Sequence, residues 1–109
     1  MAEIIWTEAA LNDLDALADY IALDKPDAAA RLVQRVFLRV EKLAEHPELG
    51  SRIAELPRGV PCRQLVEPPC RIFYRHDKGA EKLYILGVVR GEKLFQKRLL
   101  RERDKSEKQ

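Results

Sequence analysis

Residues 62–91, with the sequence CRQLVEPPCRIFYRHDKGAEKLYILGVVRG, decide the fold of this chain. Three runs rich in β-branched and aromatic residues are separated by the prolines at 68–69 and by the turn-forming residues 77–80, where Gly79 can adopt a positive φ. This pattern is typical of consecutive antiparallel strands joined by short turns. We predict strands at residues 62–66, 70–75 and 82–89, of which the last is the most apolar and is expected inside the sheet.

The residues before this stretch repeat apolar side chains at helical spacing. Thr7 is a favourable N-cap for a first helix, because its hydroxyl can accept a backbone N–H bond in the first turn. Pro26 suits the first turn of a second helix, and Pro47 ends that helix because proline cannot continue its hydrogen bonds. We therefore predict a strand at residues 3–6, helices at 8–23 and 26–45, and an irregular connector at 48–59.

The predicted element order is β-α-α-β-β-β, with a further helix expected at residues 93–103. This order predicts an α+β fold in which a helical hairpin packs on one face of a small, mainly antiparallel sheet. We expect residues 1–100 to form a single domain and the densely charged residues 101–109 to fray.

Side chains of a strand alternate between the two faces of a sheet. In the strand at 70–75, Ile72 and Tyr74 are therefore expected to face the helices. The opposite, open face of the sheet is expected to carry Arg71, Phe73 and Arg75.

The composition is that of a folded domain, because the 109 residues are 46% hydrophobic and 35% charged. No apolar run approaches the roughly 20 residues that a membrane span needs, and the N-terminus lacks the pattern of a signal peptide. We therefore expect a cytoplasmic protein. Cys62 and Cys70 are expected too far out of register for a disulfide, and their spacing is not that of a metal site.

Charge is distributed unevenly, although the net charge is only +2. Acidic residues dominate the first helix, whereas Lys and Arg outnumber Asp and Glu between residues 57 and 97. This asymmetry indicates either an anionic partner for the C-terminal half or a solvated sheet face. The sequence contains no phosphate-binding loop, dinucleotide motif, zinc pattern or serine triad, so we expect no metal and no cofactor. His46 and His76 stand alone and are not expected to be catalytic.

Four local patterns, in order along the chain, resemble those of the RelE/ParE toxins. They are IWTEAA at residues 5–10 with DL at 13–14 and YIA at 20–22, DKP at 24–26 with AA at 28–29, Leu43 with Pro47 and Gly50, and CRIFYR at 70–75 leading to VVRG at 88–91. The resemblance extends from residue 4 to about residue 100. It is strongest for the ParE branch, although Cys70 replaces the tyrosine or similar residue that precedes Arg-Ile-Phe-Tyr there.

The resemblance implies the toxin half of a type II toxin–antitoxin pair, held in a hetero-oligomer with its antitoxin. The favoured hypothesis is a ParE-like inhibitor of DNA gyrase that is neutralised by a ParD-like antitoxin with an acidic C-terminal segment. The alternatives are a RelE-like ribosome-dependent mRNA endoribonuclease and a non-toxic module that only binds an antitoxin.

The resemblance also implies which residues contact the target. Arg71 matches a catalytic arginine of RelE-like enzymes, but Gln64 replaces a basic residue and Leu99 falls near the position of a tyrosine. Because metal-independent RNA cleavage needs groups that transfer protons, these differences favour binding over cleavage. The expected target-contacting residues are Arg63, Arg71, Arg75, Arg90 and Lys93, and Lys97 and Arg98 complete the basic set.

The helical hairpin is the expected antitoxin-binding element. A small sheet cannot cover two long helices, so the wide apolar face of the second helix is expected to leave a groove for an antitoxin helix, and a sheet edge could accept an antitoxin strand. The expected antitoxin-binding residues are Val36, Phe37, Val40 and Phe73.

Overall fold

The computed structural model of the protein describes residues 1–91. The predicted last helix at 93–103 and the charged tail at 101–109 lie outside the described residues. So do three of the candidate basic residues, Lys93, Lys97 and Arg98.

The order of the elements is the predicted one, with one short strand added. The elements are β1 (Glu3–Trp6), α1 (Glu8–Ala22), α2 (Pro26–Glu41), β2 (Ser51–Arg52), β3 (Cys62–Glu67), β4 (Cys70–Asp77) and β5 (Lys82–Arg90). The second helix was predicted to reach residue 45, but its α-helical part ends at Glu41 and a 3-10 turn, Lys42–Ala44, follows. The sequence analysis missed β2, because a two-residue strand has no periodicity to detect.

The strands form one sheet in the order β1-β5-β4-β3-β2. β5 is internal, as predicted, and β4 lies at the centre. The pairs β2–β3, β3–β4 and β4–β5 are antiparallel, whereas β1 runs parallel to β5 because the two helices carry the chain back across the sheet. The structure confirms the predicted α+β class. None of the helices in residues 1–91 combines the length and apolar character needed to cross a membrane.

A β-bulge in β5 changes which of its side chains face the helices. Phe73 pairs with Gly87 and Tyr74 with Ile85, so β5 has one residue more than β4 at this point. The extra residue reverses the alternation, and Ile85 and Val88 therefore both pack in the core under the helices. Gly87 lies next to the extra residue, and glycine within a strand often marks a bulge.

The start of α1 is tied to the bulged part of β5. The Thr7 hydroxyl donates to the Ile85 carbonyl at 2.7 Å and accepts the Ala10 N–H at 3.2 Å, which is the predicted N-cap. One helical turn later, an oxygen of Asp13 accepts the N–H of Val88 at 3.0 Å. These bonds supply partners to β5 backbone groups beyond the end of β1, and they hold the helical hairpin to the sheet.

Two apolar cores lie on the two faces of the sheet. The larger core is on the helix side and includes Ile72 and Tyr74, as predicted. The predicted open face is instead covered by the connector between β2 and β3. This second core consists of Ile53, Leu56, Cys62, Phe73 and Leu86. Phe73 and Arg75 are consequently buried, with exposed fractions of 3% and 7%, which corrects the expectation that they line an open face.

Tyr74 joins the sheet to the chain that follows the helices. Its buried hydroxyl donates to the Pro47 carbonyl at 2.8 Å and accepts the Gly50 N–H at 2.9 Å. Gly50 packs so closely that an added Cβ would lie 2.6 Å from both the Tyr74 hydroxyl and the Gln64 carbonyl. This position therefore needs glycine for steric reasons.

The two hairpin turns differ in detail from the predicted ones. β3 and β4 are joined by Pro68 and Pro69 alone, through a cis peptide bond, and Glu67 pairs with Cys70. In the second hairpin the positive φ belongs to Glu81, at 54°, and not to Gly79.

We predict that Gly50→Ala destabilises the protein by about 1–3 kcal/mol, because the new methyl group forces the Tyr74 ring and the β3 backbone apart. Urea denaturation followed by circular dichroism measures the change. Gly79→Ala is the matched control, because its Cβ would meet only Asp77 Oδ1 at 3.6 Å and should cost little. Equal stability of the two variants would contradict the proposed close approach.

Candidate functional site

The structure distributes the predicted arginines over different parts of the sheet. Arg71 and Arg75 lie with Phe73 on the face of β4 that the connector covers. Arg63 lies at the β2–β3 pair, and Arg90 contacts Tyr20 of α1. The four described arginines therefore do not form one continuous row.

Arg71 is held by several groups of its own chain. Its Nε donates to Gln64 Oε1 at 2.8 Å, and one terminal nitrogen bonds both Glu55 oxygens, at 3.2 and 3.0 Å. The guanidinium also lies 5.1 Å from the centre of the Phe73 ring. With a side-chain exposure of 14%, Arg71 presents little of its surface to solvent. Its charge fixes the connector on the sheet by way of Glu55.

The two side chains that bond Arg71 show why Gln64 stands at its position and why Glu55 was not predicted as a site residue. Gln64, which replaces a basic residue by the resemblance, supplies the oxygen that accepts the Arg71 bond. Glu55 was missed as a site residue, because it lies in an irregular connector and meets Arg71 only after β3 and β4 have paired. No local signal indicates such a contact.

Arg75 and Arg90 each stack on a tyrosine. The Arg75 guanidinium lies 4.9 Å from the centre of the Tyr84 ring and is buried. Arg90 lies 5.1 Å from the Tyr20 ring, whose residue is 60% exposed. Such cation–π contacts hold a guanidinium against the face of a ring and so fix its orientation. Of the two pairs, the Arg90–Tyr20 pair is the more accessible to a partner.

The predicted antitoxin groove is largely closed. Val36 and Val40 have exposed fractions of 0% and 1% and belong to the helix-side core, and Phe73 is buried in the second core. Phe37 packs at the edge of the helix-side core, with its ring 4.7 Å from that of Trp6. Phe37 is therefore the one residue of this set with a partly accessible side chain.

A basic row on α2 was not identified from the sequence, although its spacing of four was available. Arg31, Arg35 and Arg39 succeed one another on one flank of the helix. Arg35 lies 3.6 Å from a Glu67 oxygen and donates to the Pro68 carbonyl, so this flank faces the β3–β4 hairpin. Within the described residues, Arg39 Nε is buried without a hydrogen-bond partner. Leu38, beside the row, is 62% exposed.

Both cysteines are buried, and no disulfide joins them, as predicted. The pKa of the Cys70 thiol is raised to about 11, mainly by burial and in addition by the nearby Glu67 carboxylate, while Arg35 lowers it in part. The Cys70 thiol donates to the Glu67 carbonyl at 3.2 Å. Burial also raises the pKa of Tyr74. In residues 1–91, no three His, Cys, Asp or Glu side chains are grouped so that they could hold a metal ion.

The chain is similar to known toxins. The family model described as the ParE toxin of the type II toxin–antitoxin system parDE matches residues 4–95. "Toxin RelE2" of Caulobacter vibrioides is 46% identical over 74 residues, which are 68% of this chain and 80% of that protein. "Putative toxin Y4kP" of Sinorhizobium fredii is 40% identical over 85 residues, or 76% and 84% of the two chains. A solved structure of the chromosomal ParDE system from P. aeruginosa has 29% identity, a TM-score of 0.70, and coverage of 84% and 98%.

We predict that stability falls at high pH through Cys70. A thiol whose pKa is raised by folding stabilises the protein fully below the ordinary value of 9.0, and this stability is lost as the pH rises towards about 11. Two pKa units correspond to a loss of about 2–3 kcal/mol. Urea denaturation between pH 8 and 11 measures it. Cys70→Ala, which keeps Tyr74, should lose less over the same range, and an identical loss would contradict the assignment to Cys70.

Proposed function

Because this chain belongs to the RelE/ParE superfamily of type II toxin–antitoxin toxins, we propose that it arrests growth by binding DNA gyrase until a cognate antitoxin covers it. The match to the ParE family model over residues 4–95 supports gyrase as the target. The toxin assignment rests on the family, and the proposal of gyrase as the target rests on the ParE family match together with the geometry around Arg71.

The surroundings of Arg71 favour binding over cleavage. The Glu55 carboxylate neutralises its guanidinium, and the hydrogen bonds to Glu55 and Gln64 hold it in one position. A guanidinium held in this way can exchange an internal carboxylate for one on a protein target, and the geometry of the two bonds would be conserved. We propose Arg71, and the accessible Arg90 with its Tyr20 neighbour, as gyrase-contacting residues.

One observation favours a second candidate, the ribosome-dependent ribonuclease. Glu55 is a carboxylate held 3.0 Å from a guanidinium, and such a pair could accept a proton from a ribose hydroxyl while it stabilises charge on a phosphate. One relative at 46% identity bears the name of a RelE toxin. The third possibility, a non-toxic antitoxin-binding module, has no structural observation in its favour.

We propose that the cognate antitoxin binds along the basic row of α2. Arg31, Arg35 and Arg39 present charge complementary to an acidic segment, and the exposed Leu38 adds apolar surface. Beside this row, β2 pairs only with Arg63 and Gln64, so within the described chain the outer edge of β3 at residues 65–67 has no neighbouring strand. An extended acidic segment could pair with this edge and reach the arginines. Phe37, on the opposite flank of α2, remains a proposed contact for a second part of the antitoxin.

Two variants distinguish gyrase binding from RNA cleavage. Glu55→Gln removes the carboxylate and leaves Arg71 in place, so we expect gyrase inhibition to be retained. Arg71→Ala should weaken inhibition by about tenfold or more, since it removes a charge-assisted contact. Supercoiling by purified gyrase with increasing amounts of each full-length variant measures the effect.

Ribosome-dependent cleavage of mRNA by the same proteins is the complementary assay. If wild type cleaves and Glu55→Gln loses about a hundredfold or more of the rate, Glu55 is a general base and the ribonuclease hypothesis replaces the gyrase hypothesis. Full gyrase activity at excess wild-type toxin would refute the primary proposal. Growth on induction of the wild type without antitoxin would favour the non-toxic module.

For the antitoxin, we predict that Arg31→Glu with Arg39→Glu weakens binding by about tenfold at low ionic strength and less at high salt, because exposed charge pairs are screened. Titration calorimetry with the cognate antitoxin measures the affinity. Arg58→Glu with Lys78→Glu is the matched control, because it reverses the same number of charges at exposed residues that are not on α2. An equal effect of this control would show that net charge, and not the basic row, determines binding.

A further inference from the structure

A cavity lies at the end of the sheet, where β2, β3 and β4 meet the chain that follows α2. Its volume is about 320 Å³, which is at the small end of the range for ligand pockets. Most of its polar lining is basic and comes from Arg52, Arg63, His76 and Lys78. Glu48 is the carboxylate among the lining residues, and Val60 and Pro61 form an apolar wall.

The two arginines of this cavity are placed against each other. Arg52 on β2 and Arg63 on β3 are direct partners in the antiparallel register, so their side chains leave the sheet on the same side. Like charges directly opposite each other destabilise a strand pair unless something neutralises them. In the described chain, Arg63 donates to the Gly50 carbonyl at 2.9 Å and Arg52 to the Leu56 carbonyl at 3.3 Å, and neither has a carboxylate within ion-pair distance. Carbonyl bonds orient the guanidinium groups but do not cancel their charges.

The other charged residues leave the cavity with an excess of positive charge. Lys78 lies 3.9 Å from Glu48, and both side chains are more than 70% exposed, so solvent weakens this pair. A neighbouring cavity of about 450 Å³ shares His76 and Lys78 but contains Glu45 and Glu81. Glu45 and Glu81 therefore line the neighbouring cavity, whereas among the described residues around the 320 Å³ cavity the cations Arg52, Arg63 and Lys78 outnumber the one carboxylate, Glu48.

We propose that this cavity binds the phosphate group of a nucleotide or of a nucleic-acid strand. Two guanidinium groups held side by side can donate several N–H bonds to the oxygens of one phosphate, and the lysine adds a point charge. A phosphate would also remove the repulsion within the Arg52–Arg63 pair. The apolar wall formed by Val60 and Pro61 could contact the sugar or base to which the phosphate is attached.

The number of positive charges around the cavity favours phosphate over the carboxylates of an acidic peptide. A carboxylate has two oxygens and one charge, which a single guanidinium saturates, whereas the cavity concentrates three permanent cations around a small volume. A phosphate has more acceptor oxygens and up to two charges, so it can use several cations at once.

This inference does not depend on the proposed target. The cavity residues are distinct from Arg71, Glu55 and Arg90, and phosphate binding can be measured without gyrase or ribosomes. Toxicity without phosphate binding would overturn this inference alone, and phosphate binding without gyrase inhibition would overturn the gyrase proposal alone.

Titration calorimetry of the full chain at low salt tests the proposal with four probes: inorganic phosphate, a nucleoside 5′-monophosphate, a short single-stranded RNA and a glutamate-rich peptide. We expect saturable binding of the phosphate-bearing probes, weakened about tenfold or more by Arg52→Gln combined with Arg63→Gln. Arg58→Gln is the control and should bind as the wild type does. If the double variant fails to fold by circular dichroism, Arg52→Gln alone serves, because the Arg52 side chain is exposed.

The probes also distinguish the source of the phosphate. Tighter binding of the monophosphate than of the RNA supports a nucleotide ligand, and the reverse order supports a nucleic-acid strand. Non-saturable binding, equal affinity in the double variant and the wild type, or preference for the glutamate-rich peptide over every phosphate probe would overturn the proposal.

Discussion

The Tyr74 hydroxyl is the contact on which the functional surfaces depend. It lies at the centre of the sheet, is fully buried, and bonds both the Pro47 carbonyl and the Gly50 N–H. These bonds fix the path of the chain as it leaves the helices, and with it the position of β2 and of the connector. A buried hydroxyl with both partners satisfied contributes to stability, whereas loss of either partner leaves a polar group without compensation.

Two surfaces follow from this anchored path. The connector, which begins shortly after Gly50, crosses the face of the sheet opposite the helices and brings Glu55 to Arg71. The chain that follows Gly50 also places Arg52 opposite Arg63 and forms the wall of the basic cavity. One buried hydrogen-bonding group thereby links the ion pair of one face to the cavity at the end of the sheet.

The ion pair with Glu55 determines how Arg71 can contact a target. An arginine exposed on an open face would be a ready contact for any anion, but an arginine with an internal carboxylate contacts a target only by exchange. Such an exchange favours a partner whose carboxylate can take the place of the two Glu55 oxygens. The target is then selected by geometry as well as by charge. Glu55, which neutralises Arg71, is also a group that could accept a proton, and for this reason its removal distinguishes the two proposed activities.

The sequence by itself determined the order of the elements, the helix-capping role of Thr7, the faces of Ile72 and Tyr74, the absence of a disulfide between the two cysteines and the toxin superfamily, because each follows from local spacing, from capping chemistry or from an ordered set of motifs. The basic row of α2 was also present in its four-residue spacing. Tertiary structure alone decided the covered face over Phe73, the bulge that directs Val88 to the helices, and the pairing of Arg71 with Glu55. These depend on contacts between segments far apart in the chain, where a one-residue shift in register or the path of an irregular connector changes which side chains meet, and local patterns contain no information about either.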